Sequence, residues 1–198
     1  MTSPIIPQSL KIGIISQTTP TLNTISLFNS LFVYTKPKSY QIKSENHIEY
    51  SPNNYPSLSI IVKQITHLEK LYEIYNTFNT FLVMTDIQKD STIKELSSIL
   101  DSILEASDYE TRKIYIFGFY QGPLVPEMKE DKITKIIDAK GIDYEYFELD
   151  ARDVEEFSKV MEYVVKESLE SEANLKKEGK HSDVYIGFDA SRSKCIIM

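Results

Sequence analysis

The 198-residue chain has no tryptophan and a single cysteine, Cys195. Secreted domains of this size hold themselves together with several disulfides, so one thiol points to a reducing, cytoplasmic setting. No apolar run approaches the ~18 residues needed to span a bilayer, and Met1-Thr2-Ser3-Pro4 lacks the basic start and long apolar stretch of a signal peptide. Any membrane contact is therefore expected to be peripheral. Basic charge is also thin: 22 basic side chains face 29 acidic ones, for a net charge of -7, and the longest basic run is Lys176-Lys177. Such a chain repels a phosphate backbone, which excludes nucleic acid as the expected partner. What remains is ordinary for a folded protein, with 41% hydrophobic and 26% charged residues, and the length suits one domain with a tail.

Hydrophobic periodicity gives the order of elements. Lys11 to Ile15 reads as a strand, Ser16 to Thr21 as a polar loop and Leu22 to Phe32 as a helix. Ser39 to Tyr50 and Leu58 to Ile65 read as two extended segments forming an antiparallel pair, because Ser51 to Pro56 between them is dense in turn formers. Leu68, Leu71, Tyr72 and Tyr75 give a short amphipathic helix. Phe81 to Met84 is then a buried-type strand. Ile93, Leu96, Ile99, Leu100, Ile103 and Leu104 form the clearest helical stripe, with Asp90 or Ser91 as its N-cap. Ile114 to Phe117 (strand), Glu127 to Ala139 (helix), Tyr144 to Leu149 (strand) and Val154 to Leu169 (helix) complete the alternation.

That alternation predicts a three-layer α/β fold: a mostly parallel sheet of about six strands, one antiparallel edge strand and helices on both faces. Ligands of such folds sit at the carboxyl ends of the strands. The domain is expected to occupy residues 1–169, with 170–198 as a flexible tail.

The tail ends in Cys195-Ile196-Ile197-Met198, a cysteine fourth from the end followed by two aliphatic residues and methionine. This is the pattern read by a prenyltransferase, with methionine favouring farnesyl, so a farnesyl group on Cys195 is expected. One lipid gives only marginal, reversible membrane binding. The tail's lysines and arginines are offset by Glu170, Glu172, Glu178, Asp183 and Asp189, so a cycling protein, or one retained by a protein partner, is the expectation.

The element order and the lipid signal together resemble a Ras/Rab-type small GTPase over nearly the whole chain. Tyr75 to Ile87, with Asp86-Ile87 at its end, is similar to that superfamily's fourth strand and its approach; Glu148-Leu149-Asp150-Ala151-Arg152 is similar to its Glu-Thr-Ser-Ala-Lys segment. The nucleotide-holding motifs are the part that departs. A phosphate loop needs Gly-x4-Gly-Lys-Ser/Thr, so that backbone N–H groups close on the phosphates, lysine neutralises them and the hydroxyl binds Mg²⁺. Here the matching positions are Ser16, Thr21, Leu22 and Asn23. At the base-recognition positions stand Phe119, Tyr120 and Gly122, then Asp150, Ala151 and Arg152, without the Asn-Lys-x-Asp set; Leu58 to Leu68 contains neither Asp nor Gly for the γ-phosphate turn. The resemblance thus implies a degenerate, pseudo-GTPase member. It would act as a protein-interaction module in membrane traffic or signalling, with no catalytic residue, no bound metal and neither GTP nor Mg²⁺ expected as cofactor.

Three other readings stay open from the residues. One is a small GTPase with atypical nucleotide binding, in which backbone amides at the start of the helix near Leu22 hold the anion. A second follows from a resemblance of His47 to Tyr50, Ser59 to Val62 and Leu82 to Ile87 to the adaptin-binding GTPase-like trafficking family, and implies a clathrin-adaptor-binding factor. The third is an FMN protein, since Ser16 to Thr21 is similar to the hydroxyl-rich phosphate loop of flavodoxins, with Tyr120 available to stack a flavin. His47, His67 and His181 share no metal-ligand spacing. Asp86 and Asp150 suit either an acid/base pair or helix capping and strand-end solvation. Tyr72, Tyr75, Phe78 and Tyr120 divide between core and a partner-binding surface, which aromatics favour.

Overall fold

The computed structural model describes residues 9–16, 23–44, 46–65, 67–106, 113–122, 130–141 and 143–177. Its strands are β1 (Ser9–Ser16), β2 (Ser39–Ser44), β3 (His47–Ser51), β4 (Ser59–Gln64), β5 (Thr80–Asp86), β6 (Lys113–Tyr120) and β7 (Tyr144–Asp150). Its α-helices are α1 (Thr24–Thr35), α2 (Leu71–Ile74), α3 (Asp90–Ala106), α4 (Glu130–Asp138) and α5 (Val154–Lys177), with single 3₁₀ turns flanking α2. The strands form one seven-stranded sheet in the order β2-β3-β4-β1-β5-β6-β7. Pairing is parallel from β4 through β7 and antiparallel only at the β2–β3–β4 edge.

The mostly parallel three-layer architecture matches the expectation, with seven strands instead of about six. The extra strand arises because Ser39 to Tyr50 folds back on itself as the hairpin β2–β3, with Tyr40 opposite Tyr50 and Ile42 opposite Ile48.

The two faces of the sheet carry separate cores. Leu10, Ile12 and Ile14 of β1 point to the face covered by α1 and α5, where Phe28, Phe32, Phe117, Phe119 and Phe157 gather. Phe157 is central to this cluster, since its ring lies about 6 Å, centroid to centroid, from Phe28, Phe117 and Phe119, edge-on to each. Ile15 of β1 points to the other face, where Phe81 and Val83 of β5 meet Leu96, Ile99, Leu100 and Ile103 of α3 and Ile133 and Ile137 of α4. All seven residues of β5 are buried, as a central strand covered on both faces requires. Gly13 belongs to this packing, for a Cβ there would lie 3.0 Å from the Phe81 ring.

Helix ends are set by side chains that can be named. Asn23 caps α1, its Oδ1 accepting from the Ser26 N–H at 3.1 Å. At the other end Lys36 adopts a left-handed conformation (φ 45°), and Asn53 Nδ2 donates to the carbonyls of Thr35 and Lys36 at 3.1 and 3.0 Å. Asp153 caps α5 through the Glu156 N–H at 2.9 Å. That helix runs through Lys177 instead of ending at Leu169, so the expected boundary at 170 falls inside it. The cause is a polar inner face. Ser168 accepts from Thr80 Oγ1 at 2.7 Å, and Glu172, 3% exposed, accepts from Asn79 Nδ2 at 2.7 Å. Asn79 Oδ1 in turn accepts from the Lys11 N–H at 2.7 Å, and Lys113 bridges Glu167 at 3.0 Å and Glu145 at 3.6 Å.

Candidate functional site

The candidate site is the rim where β1, β4, β5, β6 and β7 end, because β1 leads to one side of the sheet through α1 and the chain then crosses to β5 on its other side. That reversal is where open α/β sheets bind ligands. Ser16, Gln64, Asp86, Tyr120 and Asp150 are the last residues of the five strands.

Of the phosphate-loop positions, Ser16 and Asn23 are described, while Thr21 and Leu22 lie outside the described residues. Asn23, standing where the Mg²⁺-binding hydroxyl is expected, uses its side chain to close the first turn of α1. No acidic residue sits in that turn. Ser16 Oγ accepts from Gln64 Nε2 at 2.6 Å, which ties the end of β1 to the end of β4. The Ile65 N–H continues the seam by donating to the Ile14 carbonyl at 2.7 Å.

Beyond β1, the loops after β5 and β6 are joined by a reciprocal pair. Gln88 Nε2 donates to the Gln121 carbonyl at 3.0 Å, and the Gln121 N–H donates to Gln88 Oε1 at 2.9 Å. Asp86 is 3% exposed, and its carboxylate accepts from the Gln88 N–H at 3.0 Å and lies 3.3 Å from Lys89 Nζ. Thr92 donates to the carbonyls of Asp86 and of Lys89, fastening the start of α3 to the end of β5. Gly122, at the third base-recognition position, has a left-handed φ of 88°.

Across β6, Asp150 is held by Arg152 in a two-pronged ion pair, Nε to Oδ1 at 3.0 Å and Nη2 to Oδ2 at 2.6 Å, with the Arg152 N–H also on Oδ1 at 3.0 Å. This guanidinium fork keeps the carboxyl below its ordinary pKa of 3.8. The Ala151 N–H donates to the Tyr120 carbonyl at 2.8 Å. Phe119 is buried in the core and Tyr120 is half-buried at the rim, its phenol pKa raised by burial and by Glu156 and Asp150 nearby. The structure thus brings Ser16 to Gln64 and Asp150 to Arg152, but β6 stands between Asp86 and Asp150, each carboxylate engaging its own loop.

The side chains of Gln64 and Gln88 carry most of this stitching, Gln88 meeting the backbone of Gln121, and sequence reading missed them because an isolated glutamine has no motif. Gly118 behaves similarly: a Cβ would come within 2.6 Å of the Tyr146 hydroxyl and 2.7 Å of Ile87 Cγ2, a closeness visible only once β5, β6 and β7 are side by side. Among the described residues no group of three or more His, Cys, Asp or Glu is placed to hold a metal. His47 has its Nε2 buried without a hydrogen-bond partner, and its pKa is lowered by burial and by Lys63 and Lys43. His181 and Cys195 lie outside the described residues. Tyr75 and Phe78 belong to the core, whereas Tyr72 is 67% exposed. No helix among the described residues is long and apolar enough to cross a membrane. A separate cavity of about 240 Å³ opens away from the rim, between Leu31 and Thr35 of α1, Asn53 and Asn54 before β4, and Met161 and Val165 of α5.

No protein-family model matches the chain, and no curated protein matches it in sequence. Solved structures do match. One is an ADP-ribosylation-factor-like, Sar1-type COPII coat small GTPase from Encephalitozoon cuniculi in complex with GDP, at a TM-score of 0.54 and 9% identity, covering 86% of this chain and 82% of that one. At that identity the likeness concerns architecture, and it agrees with the parallel sheet, the antiparallel edge and the flanking helices: the chain has a small-GTPase-like α/β fold.

Proposed function

We propose that this protein is a prenylated, GTPase-like interaction module of membrane traffic or signalling, which binds protein partners and does not hydrolyse nucleotide. The observation that carries this reading is the self-satisfied rim. Asn23 caps its own helix, Gln64 closes on Ser16, Gln88 and Gln121 bond reciprocally, and Lys89 and Arg152 are paired with Asp86 and Asp150. A bound nucleotide would have to displace these contacts and would meet leucine where the family's phosphate-neutralising lysine stands. The lipid half of the reading rests on Cys195-Ile196-Ile197-Met198: a farnesyl group supplies reversible membrane contact, and a protein partner supplies retention.

The test is a titration of the purified full chain with fluorescent GTP and GDP in Mg²⁺. Saturation is expected for neither nucleotide in the range up to ~10 μM, whereas a Kd below ~1 μM would overturn the reading and restore a nucleotide switch.

A further inference from the structure

Among the described residues the sheet ends at one side on β2, and all six residues of that strand are exposed. An edge strand presents backbone N–H and C=O groups without a neighbour on its outer side, and folds commonly cover or shorten such an edge. Here apolar side chains stand beside it. On the α1 side of the sheet, Tyr40 is 56% and Ile42 36% exposed. Tyr40 rests on Phe32 of α1, ring centroids 4.8 Å apart, and Val33, the next residue along, is 76% exposed. The other side of the strand carries Gln41 and Lys43, with Lys43 paired to Glu49.

We infer that β2 is a self-association edge, two copies of the chain pairing β2 to β2 antiparallel about a two-fold axis through Gln41. The sequence of the strand is complementary to itself in that register. Gln41 faces Gln41 of the second copy and Tyr40 faces Ile42. An aromatic opposite a β-branched residue is a favoured cross-strand pair, formed here twice by symmetry. The two Lys43 side chains stand four residues apart along the strand, roughly 13 Å at ~3.4 Å per residue, beyond the ~8 Å screening length at physiological salt. A slip of four residues would set Lys43 against Lys43 and is disfavoured. Lys43 is the bulge residue, without a partner in β3 between the Ile42–Ile48 and Ser44–His47 pairs, so the regular edge ends at Ile42 and the pairing spans Tyr40 to Ile42.

Because the interface is isologous, it closes at two copies. A contact of about three residues per strand buries less than the ~1,200 Å² of a stable interface, so the dimer is weak and concentration-dependent. It does not depend on the state of the rim or on lipid at Cys195.

Sedimentation velocity of the unlipidated full chain between ~10 μM and ~1 mM should show a reversible monomer–dimer equilibrium. Gln41→Lys and Gln41→Glu each place like charges at the axis and should weaken it at least ten-fold, while an equal mixture of the two should recover association. In a Cys195→Ser background, Gln41→Cys should form a disulfide-linked dimer under mild oxidation, since paired strands set the Cα atoms ~4.5–5.5 Å apart, within disulfide range. Tyr72→Cys in the same background should not. The inference is overturned by a wild type that stays monomeric throughout, including one that instead adds an extended segment of another protein at β2. Charge variants that associate as wild type does, or a Gln41→Cys chain that cross-links no faster than the Tyr72→Cys chain, overturn it equally.

Discussion

At Asn23, one side chain decides between two uses of a helix N-terminus. The free N–H groups of a first turn can receive a phosphate or a capping side chain, and here the amide carbonyl of Asn23 takes the Ser26 N–H. Asn23→Ala should therefore cost about 1 kcal/mol, typical of a lost cap, and lower the melting midpoint by roughly 2–4 °C, measured by circular dichroism. Asp150 offers a pH test at the same scale. Its folded pKa lies below 3.8 because Arg152 favours the ionised form, so the pair contributes stability above 3.8 that is lost as pH falls through the folded value. Wild type should melt above Arg152→Ala at neutral pH, and the two melting temperatures should converge below that folded pKa; a difference that persists there would mean Arg152 acts through something other than Asp150. Gly118 is constrained from two sides, by Tyr146 and Ile87. Gly118→Ala should cost on the order of 1–3 kcal/mol by overpacking, read as a lower denaturation midpoint with an unchanged slope.

Among the elements, the buried ones announced themselves in the sequence and the polar seams did not. β5 and β6 are continuous apolar runs because both faces are covered, and α3 carries its stripe at helical spacing. The β2–β3 hairpin was hidden because the sequence between Ser44 and His47 has no glycine or proline to break the extended pattern. The last two turns of α5 were hidden for a different reason: Glu172 on their inner face bonds Asn79, following Ser168, which bonds Thr80 one turn earlier, so the apolar period fades while the helix continues. Of the rim, Ser16, Tyr120 and Asp150 were legible as strand-end positions, but the glutamine contacts between loops depend on residues far apart in sequence. One consequence concerns the helix boundary. A chain truncated after Leu169 should melt below one truncated after Lys177, because Glu172 leaves Asn79 without its acceptor at the amino end of β5, a loss of about 1.5–3 kcal/mol for a hydrogen bond to a charged group. Equal midpoints would mean that the final turns of α5 contribute no stability.

Over the whole molecule, the described residues of the rim pair with one another, and the proposed lipid at Cys195 supplies a membrane address. Cys195→Ser should move the protein from the membrane fraction to the soluble fraction without changing its far-UV spectrum, since the substitution acts on the lipid. Wild type and variant fractionating alike would count against prenylation. The central claim, that the rim does not take up a nucleotide, is tested most directly by thermal melts of the full chain with ~1 mM GTP, GDP or ATP plus Mg²⁺. A ligand stabilises by RT ln(1 + [L]/Kd), so one bound with a Kd of ~1 μM would add about 4 kcal/mol and raise the midpoint by roughly 8–16 °C. The account predicts superimposable melts with and without each nucleotide; a guanine-specific rise of several degrees would contradict it.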